Sequence, residues 1–303
     1  AYKIGLPSPP AAVLRALCSA AYSTRERPFY SVPLTHRGTV RTAVFCPADS
    51  LILTASDDNT AKVWDVEGNV LAELKGHNGP VASAVFSTDG LRILTASSDN
   101  TAKLWDLQGN ILAELKGHTD YVRSAVFSPD GSCILTASDD NTAKVWNLQG
   151  NVLAELKWRT DFVNSAVFSP DGSGIFTSSD DNTAKLWDVK GNVLAELKGH
   201  TDYVRSAVFS PDGSNVLTAS LDNTAKLWDL QGNVLAELKG HNGPVFSAEF
   251  SHNEKYIVTA SADNTAIIWP TPKTIMEYLK TAPIPKLTPA EKKELGIEGF
   301  NLD

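Results

Sequence analysis

Histidine, serine, aspartate and tryptophan recur along this chain at one fixed interval, and they are the first candidates for chemistry. Five histidines are separated from one another by 41 residues or a multiple of 41, and they are His36, His77, His118, His200 and His241. Arg159 stands where a sixth would fall. Imidazole can ligate metals or move protons near neutral pH. Residues one interval apart belong to different repeat units, however, so they cannot all lie at the roughly 2 Å from one ion that imidazole ligation needs. The spacing therefore predicts no metal site and assigns the histidines to the framework of each repeat.

Signatures of catalysis and of cofactor binding are missing from the sequence. No Ser, Cys or His stands in a nucleophile motif, and no glycine-rich loop precedes a helical pattern. His252 is a lone residue in a turn. Adjacent acids such as Asp57-Asp58 point in different directions along an extended chain, which argues against a carboxylate dyad or a calcium site. We therefore expect a protein that is not an enzyme and that uses neither a cofactor nor a metal.

The same interval defines a repeat unit, whose clearest copy is residues 117–157. Six tryptophans follow the interval: Trp64, Trp105, Trp146, Trp187, Trp228 and Trp269. In the clearest copy, short apolar runs between tight turns predict four strands, at 122–128, 134–138, 142–146 and 152–157. Four short strands joined in this way form an antiparallel meander, and a strict period of this length indicates a repeat architecture.

Four marks of each copy resemble the tryptophan–aspartate (WD) repeat family of β-propellers. They are the Gly-His start, the Ser-x-Asp-Asn-Thr turn, the Trp-Asp end and the period of 41 residues. The resemblance extends over residues 28–270, and the near-identity of the copies is similar to that of repetitive propellers from prokaryotes. It implies an all-β fold in which each copy is one four-stranded antiparallel blade.

Counting strands predicts how such a ring would close. The first three strands occur six times, but the fourth occurs after only five of the tryptophans. The strand-like segment 28–34 would supply the missing outer strand of the last blade, giving a six-bladed propeller in which the two ends of the chain meet. Pro33 is acceptable there, because an outer edge strand has one side that pairs with nothing. The alternative is a truncated seventh blade.

The resemblance also implies a hydrogen-bonded set in each blade, made of the His, a hydroxyl of the second strand, the Asp of the following turn and the Trp. A buried indole N–H needs an acceptor and a buried carboxylate needs donors, so such a set would be structural. The sets are His36, Ser56, Asp58 and Trp64; His77, Ser97, Asp99 and Trp105; His118, Ser138, Asp140 and Trp146; His200, Ser220, Asp222 and Trp228; and His241, Ser261, Asp263 and Trp269.

The fourth copy departs from the others, because Trp158-Arg159 replaces Gly-His. Arg159 would pair with Asp181 and keep the set closed, or the set is open and this blade is the weak point. Trp158 would then mark a contact surface. Ordinary drift in a tolerant repeat explains the change equally well.

The resemblance places partner binding on the face around the central mouth, at three positions in each copy. Two of them flank the Val that begins the first strand, and the third precedes the structural Asp. These positions vary while the framework is repeated, and they are rich in the aromatic and Arg residues that anchor interfaces. The candidate binding residues are Arg41, Asp57, Tyr121, Arg123, Asp139, Phe162, Asn164, Asp180, Tyr203, Arg205, Leu221 and Phe246.

Composition excludes several classes of partner. The chain of 303 residues has a net charge of −8 and no long run of Lys or Arg, so we expect no nucleic acid. Its apolar runs are only strand-sized, so we expect no membrane span. Three cysteines at unrelated repeat positions fit a reducing compartment, and we expect a cytoplasmic protein.

The sequence predicts three parts: a helical extension at 1–27, the propeller at 28–270, and a tail with short helices at 271–303. The expected function is a non-catalytic scaffold that binds a protein or peptide, as a monomeric propeller or as part of a larger chain. The alternative is a ligand-sensing propeller at the C-terminal end of a prokaryotic signalling protein of the STAND type. The chain begins with Ala1 and has Met276 as its one methionine, so an initiator has been removed or the chain is a piece of a longer protein.

Overall fold

Antiparallel strands and the turns that join them make up almost the whole of the described part of the computed structural model, which covers residues 33–48, 50–157 and 161–281. These residues form six sheets in sequence order, and every pairing within a sheet joins neighbouring strands of the chain. The all-β class and the antiparallel four-stranded unit predicted from the sequence are confirmed.

The first three sheets contain four strands each. Their bounds are β1 Val40–Phe45, β2 Leu51–Ser56, β3 Thr60–Asp65 and β4 Val70–Lys75; β5 Val81–Phe86, β6 Arg92–Ser97, β7 Thr101–Asp106 and β8 Ile111–Lys116; and β9 Val122–Phe127, β10 Cys133–Ser138, β11 Thr142–Asn147 and β12 Val152–Lys157.

The fourth and fifth sheets repeat this arrangement, and the sixth has three strands among the described residues. Their bounds are β13 Val163–Phe168, β14 Gly174–Ser179, β15 Thr183–Asp188 and β16 Val193–Lys198; β17 Val204–Phe209, β18 Asn215–Ser220, β19 Thr224–Asp229 and β20 Val234–Lys239; and β21 Val245–Phe250, β22 Tyr256–Ser261 and β23 Ala266–Pro270.

The turn between the second and third strands of each sheet has one fixed conformation. Its Asn adopts a left-handed backbone, with φ of 67° at Asn141 and close values at the other copies. Asn tolerates this region better than most residues. The preceding Asp140 accepts the backbone N–H of Thr142 at 3.0 Å, which holds the turn closed. The Asp-Asn-Thr signature therefore fixes where the second strand ends and the third begins.

The apolar core lies between neighbouring sheets. Leu94 and Ala96 of the second sheet pack with Val122, Ile134 and Trp146 of the third, and all five are buried. The same positions pair in the same way from each sheet to the next. Each sheet therefore buries both of its faces only by stacking, as expected of a repeat architecture.

The stack leaves apolar residues exposed at its two ends. Val40 in β1 is 40 % exposed, whereas Val81 at the same repeat position in β5 is fully buried at 0 %. Val258 in β22 is 42 % exposed, whereas Leu217 at the same position in β18 is at 0 %. The segment predicted to close the ring lies mostly outside the described residues, and its last two residues, 33 and 34, are not in a strand. Closure into six blades therefore stays a prediction.

One helix, α1, follows the last strand at Pro272–Thr281. Thr271 caps it, since its hydroxyl accepts the backbone N–H of Thr274 at 3.3 Å and donates to the carbonyl of Glu254 at 2.8 Å. Pro272 takes the first helical position, where its missing N–H costs nothing. One of the short helices expected in the tail is thus present. The extension at 1–27 and the rest of the tail, residues 282–303, lie outside the described residues.

Within the described ranges, no helix is both long enough and apolar enough to cross a membrane.

Candidate functional site

A hydrogen-bonded chain runs through the third sheet and supports the face above it. Trp146 Nε1 donates to Thr136 Oγ1 at 2.8 Å, and Thr136 Oγ1 lies 2.7 Å from His118 Nε2. His118 Nδ1 lies 2.7 Å from Asp140 Oδ2. An ionised carboxylate can only accept, so the imidazole donates from Nδ1 to Asp140. Nε2 of the neutral imidazole then accepts the proton of the Thr136 hydroxyl, which in turn accepts the indole N–H. Every member of the chain then has a partner.

The same chain recurs in the first, second, fifth and sixth sheets with closely similar distances. Its threonines are Thr54, Thr95, Thr218 and Thr259. In the fourth sheet Thr177 still accepts the indole N–H of Trp187, at 2.7 Å. Trp158 and Arg159 lie outside the described residues, so the proposed pairing of Arg159 with Asp181 stays a prediction.

The sequence interpretation named the wrong hydroxyl. It placed Ser56, Ser97, Ser138, Ser220 and Ser261 between His and Trp, whereas the structure places there the threonine two residues earlier. Ser138 Oγ instead donates to the carbonyl of Asp120 at 3.0 Å and accepts the N–H of Asp140 at 3.1 Å. The reason is geometric, because residues two apart on a strand share a face and only their depth in the blade separates them.

The turn carboxylates are held ionised by their donors. Burial alone would raise the pKa of Asp140, but hydrogen bonds from His118, Thr142 and the N–H of Thr119 outweigh it. The net effect is a pKa well below the usual range, and the same holds for Asp58, Asp99, Asp222 and Asp263. These carboxylates already accept hydrogen bonds within the blade, and their low pKa values make them too weakly basic to serve as general bases near neutral pH.

The three candidate binding positions of each sheet meet at the same end of the first strand. The backbone N–H of the third position donates to the carbonyl of the first in all six sheets, for example Asp139 to Tyr121 at 3.0 Å and Leu221 to Tyr203 at 2.9 Å. The middle position lies next to them, at the start of the first strand. The structure therefore brings each set of three together.

Arginine at the middle position pairs with aspartate at the third. Arg41 donates from Nε and Nη2 to the two oxygens of Asp57 at 2.7 and 2.8 Å. The hydrogen bonds to Arg41 lower the pKa of Asp57 and raise that of the guanidinium. Arg123 makes the same two-point contact with Asp139, which is only 8 % exposed. Sequence reasoning treated these residues as separate contacts and did not foresee the pairing.

Contacts between sheets join the third, fourth and fifth sets into one surface. The guanidinium of Arg123 lies 5.9 Å from the ring centroid of Phe162 in the next sheet. Arg205 Nη1 donates to Asn164 Oδ1 at 3.1 Å, and Asn164 Nδ2 donates to Asp180 at 2.6 Å and to the carbonyl of Val204 at 3.1 Å. We give the name mouth face to the twelve candidate binding residues, of which those of the third, fourth and fifth sheets are joined by these contacts.

Comparison with protein families places the chain. Residues 39–232 match a model described as the IFT122 first beta-propeller, and residues 232–270 match one described as WD domain, G-beta repeat. The chain belongs to the WD-repeat β-propeller family. The resemblance seen in the sequence is confirmed, and the sheets are its blades. No curated protein matched the chain. WD-repeat propellers generally mediate protein–protein interaction and are generally scaffolds without catalytic activity.

The mouth face of this WD-repeat chain combines exposed aromatic rings with charge. Tyr121, Phe162, Tyr203 and Phe246 are between 42 and 53 % exposed. Large apolar side chains exposed together on one face are typical of interaction sites. The acids and guanidiniums beside them are mostly paired with one another, which holds the surface in one shape.

The opposite end of the first strands carries a separate cavity of about 300 Å³. Phe168, Phe209 and Phe250 line it, together with Glu249 and His252. Among the described residues, no group of three or more His, Cys, Asp or Glu is placed to hold a metal ion.

Proposed function

We propose that this chain is a non-catalytic scaffold that binds a protein or peptide partner on the mouth face. The observation that carries the proposal is the set of four exposed aromatic residues, Tyr121, Phe162, Tyr203 and Phe246, on a framework held by hydrogen bonds among His, Thr, Asp and Trp side chains. Aromatic and Arg residues dominate the binding energy of most interfaces. A rigid support lowers the entropic cost of presenting them.

The proposal has a direct test by affinity capture. The wild-type protein and a triple variant, Arg123→Ala, Arg205→Ala and Phe246→Ala, would each be immobilised and exposed to a native lysate, with quantitative mass spectrometry of what is retained. We expect the specifically retained proteins to fall at least tenfold with the triple variant, which corresponds to about 1.4 kcal/mol.

A matched control uses the outer strands, which also expose apolar residues. Leu112 and Leu153 are 52 and 57 % exposed and lie on the outer strands β8 and β12, which carry none of the mouth-face residues. A Leu112→Ala and Leu153→Ala double variant should retain the same proteins as the wild type. An unchanged set with the triple variant, or a loss only with this control, would overturn the proposed face.

The ring that carries this face is proposed to have six blades, with residues 28–34 as the outer strand of the last one. The exposed apolar end faces support closure, because large apolar surfaces are seldom left in water. Among the described residues, no strand pairs with the outer edge of β23. This free edge supports residues 28–34 as the strand that pairs with it. The alternative is a seventh, truncated blade between the ends.

Cytoplasmic location is part of the same proposal. Cys46 and Cys133 are free thiols at unrelated repeat positions, and Cys46 accepts the N–H of Leu51 at 3.2 Å in a structural role. Such usage supports a reducing compartment.

A further inference from the structure

The third and fifth blades provide a natural comparison of one arginine in two settings. Residues 117–157 and 199–239 differ at five of 41 positions. One difference lies on the mouth face, where Leu221 replaces Asp139. The tyrosine and the arginine of each set are the same, so the two sets differ in the one residue that pairs with the arginine in the third blade.

In the third blade the arginine is fully engaged. Arg123 donates from Nε and Nη2 to the two oxygens of Asp139, and its guanidinium carbon lies 5.9 Å from the ring centroid of Phe162. A two-point contact of this kind satisfies the geometry that guanidinium and carboxylate share. Arg123 is therefore already supplied with an anion.

In the fifth blade Arg205 has no aspartate at the corresponding position, because Leu221 stands there. Arg205 donates from Nη1 alone, to Asn164 Oδ1 at 3.1 Å. Its nearest carboxylate oxygen, Asp180 Oδ1, is 3.7 Å from Nη1 and also accepts from Asn164 at 2.6 Å. Within the described part of the chain, Nε and Nη2 of Arg205 have no hydrogen-bond acceptor. These are the two donors that hold aspartate in the first and third blades.

Arg205 is partly exposed to solvent and has apolar residues near it. Its side chain is 34 % exposed, so a partner can reach it. Tyr203 is 44 % exposed and lies beside Leu221, whose N–H donates to the tyrosine carbonyl at 2.9 Å. A charge-assisted hydrogen bond is stronger where apolar neighbours exclude water. The site thus combines a guanidinium that has two donors, Nε and Nη2, without an acceptor among the described residues with an apolar flank.

We propose that Arg205 binds a carboxylate of the partner, from an Asp or Glu side chain of a protein or peptide next to an apolar residue that contacts Tyr203 and Leu221. The carboxylate takes the position that Asp139 occupies against Arg123. This inference rests on the proposed function of the mouth face and names the chemistry that the face recognises.

The test uses a phage-displayed library of random dodecapeptides, panned on the wild-type protein. A synthetic copy of the enriched peptide is then titrated by fluorescence anisotropy against wild type and variants. The decisive variant is Leu221→Asp, because it restores the residue of the third blade and supplies Arg205 with an internal carboxylate. The third blade shows that the repeat accommodates this residue.

We expect enriched peptides to share an acidic residue beside an aromatic or aliphatic one. Leu221→Asp and Arg205→Gln should each weaken binding at least tenfold, while Leu235→Asp, which adds the same charge on an outer strand, should change it less than twofold. Thermal melts would confirm that all variants are folded.

Each contrary result has its own meaning. Enriched peptides that lack acidic residues, yet lose binding when Tyr203 and Phe246 are replaced by Ala, would overturn this inference and leave the proposed function standing. Acidic peptides that bind Leu221→Asp as tightly as wild type would also overturn it. Failure of the wild type to enrich any peptide would contradict both.

Discussion

Thr136 Oγ1 accepts the indole N–H of Trp146 at 2.8 Å, and this contact ties the second strand of the third blade to the third strand. The same hydroxyl lies 2.7 Å from His118 Nε2, so one buried oxygen joins the start of the blade to its core. The mouth face rests on the His118 and Asp140 end of this chain. Framework and face can therefore be tested separately.

Removing the hydroxyl without changing the side-chain shape tests the framework. Thr136→Val leaves both the indole N–H and His118 Nε2 unsatisfied in a buried site, and we expect a loss of about 1–3 kcal/mol in the free energy of unfolding. Urea denaturation measures it. Thr136→Ser keeps the hydroxyl and should cost clearly less; if it costs as much as Thr136→Val, the hydrogen bonds are not the source of the stability.

Acid should destabilise the propeller through the turn carboxylates. Their pKa values are lower in the folded protein than in the unfolded chain, because the hydrogen bonds they accept outweigh the effect of burial. The unfolded chain therefore binds more protons, and the stability that these groups contribute is present above about pH 4 and is lost as the pH falls towards the folded values.

Unfolding midpoints in urea between pH 7 and pH 3 measure this loss. Asp140→Asn removes one of the titrating groups, so its stability should fall less steeply than that of the wild type below pH 4. Parallel curves for the two proteins would show that Asp140 does not carry the effect.

Ser178 offers a stabilising substitution. It is fully buried at 0 % exposure, and its hydroxyl has no hydrogen-bond partner among the described residues, whereas the third blade has Ala137 at this position. An unsatisfied buried hydroxyl is costly, so we expect Ser178→Ala to raise the free energy of unfolding by about 1 kcal/mol. The reverse exchange, Ala137→Ser, should lower it. A destabilised Ser178→Ala protein would indicate that the hydroxyl has a partner in solution.

Closure of the ring can be read from amide hydrogen exchange. If residues 28–34 form the outer strand of the last blade, the amides of this segment that pair with β23 should exchange slowly, and we expect the same of the amides of β20 that pair with β19 in the fifth blade. Exchange at the rate of an unstructured peptide would contradict the closing strand. Class averages from electron microscopy would then count the blades and decide between six and seven.

The period of the sequence predicted the elements closely, because six copies of one pattern leave little freedom. In the third blade the expected strand 122–128 is observed as Val122–Phe127, and 134–138 as Cys133–Ser138. The choice between Thr136 and Ser138 was beyond the sequence, since both recur in every copy and both lie on one face of β10.

The pairing of the mouth-face residues was also beyond the sequence. Arg205 contacts Asn164 of the preceding blade, a relationship that depends on the rotamers of two side chains in different repeats. The exchange of Asp139 for Leu221 was visible in the sequence and was the available signal. The consequence of this exchange for Arg205 became evident only from the two-point contact between Arg123 and Asp139 in the structure.

Photo-crosslinking tests the central claim most directly, because it reports which surface a partner occupies. A photoreactive benzoylphenylalanine would replace Tyr203 on the mouth face and, in a second protein, Leu235 on the outer strand β20; these side chains are 44 and 50 % exposed. After irradiation in a native lysate, the account predicts a discrete protein adduct from position 203 and none from position 235. An adduct from position 235 with none from position 203 would contradict it.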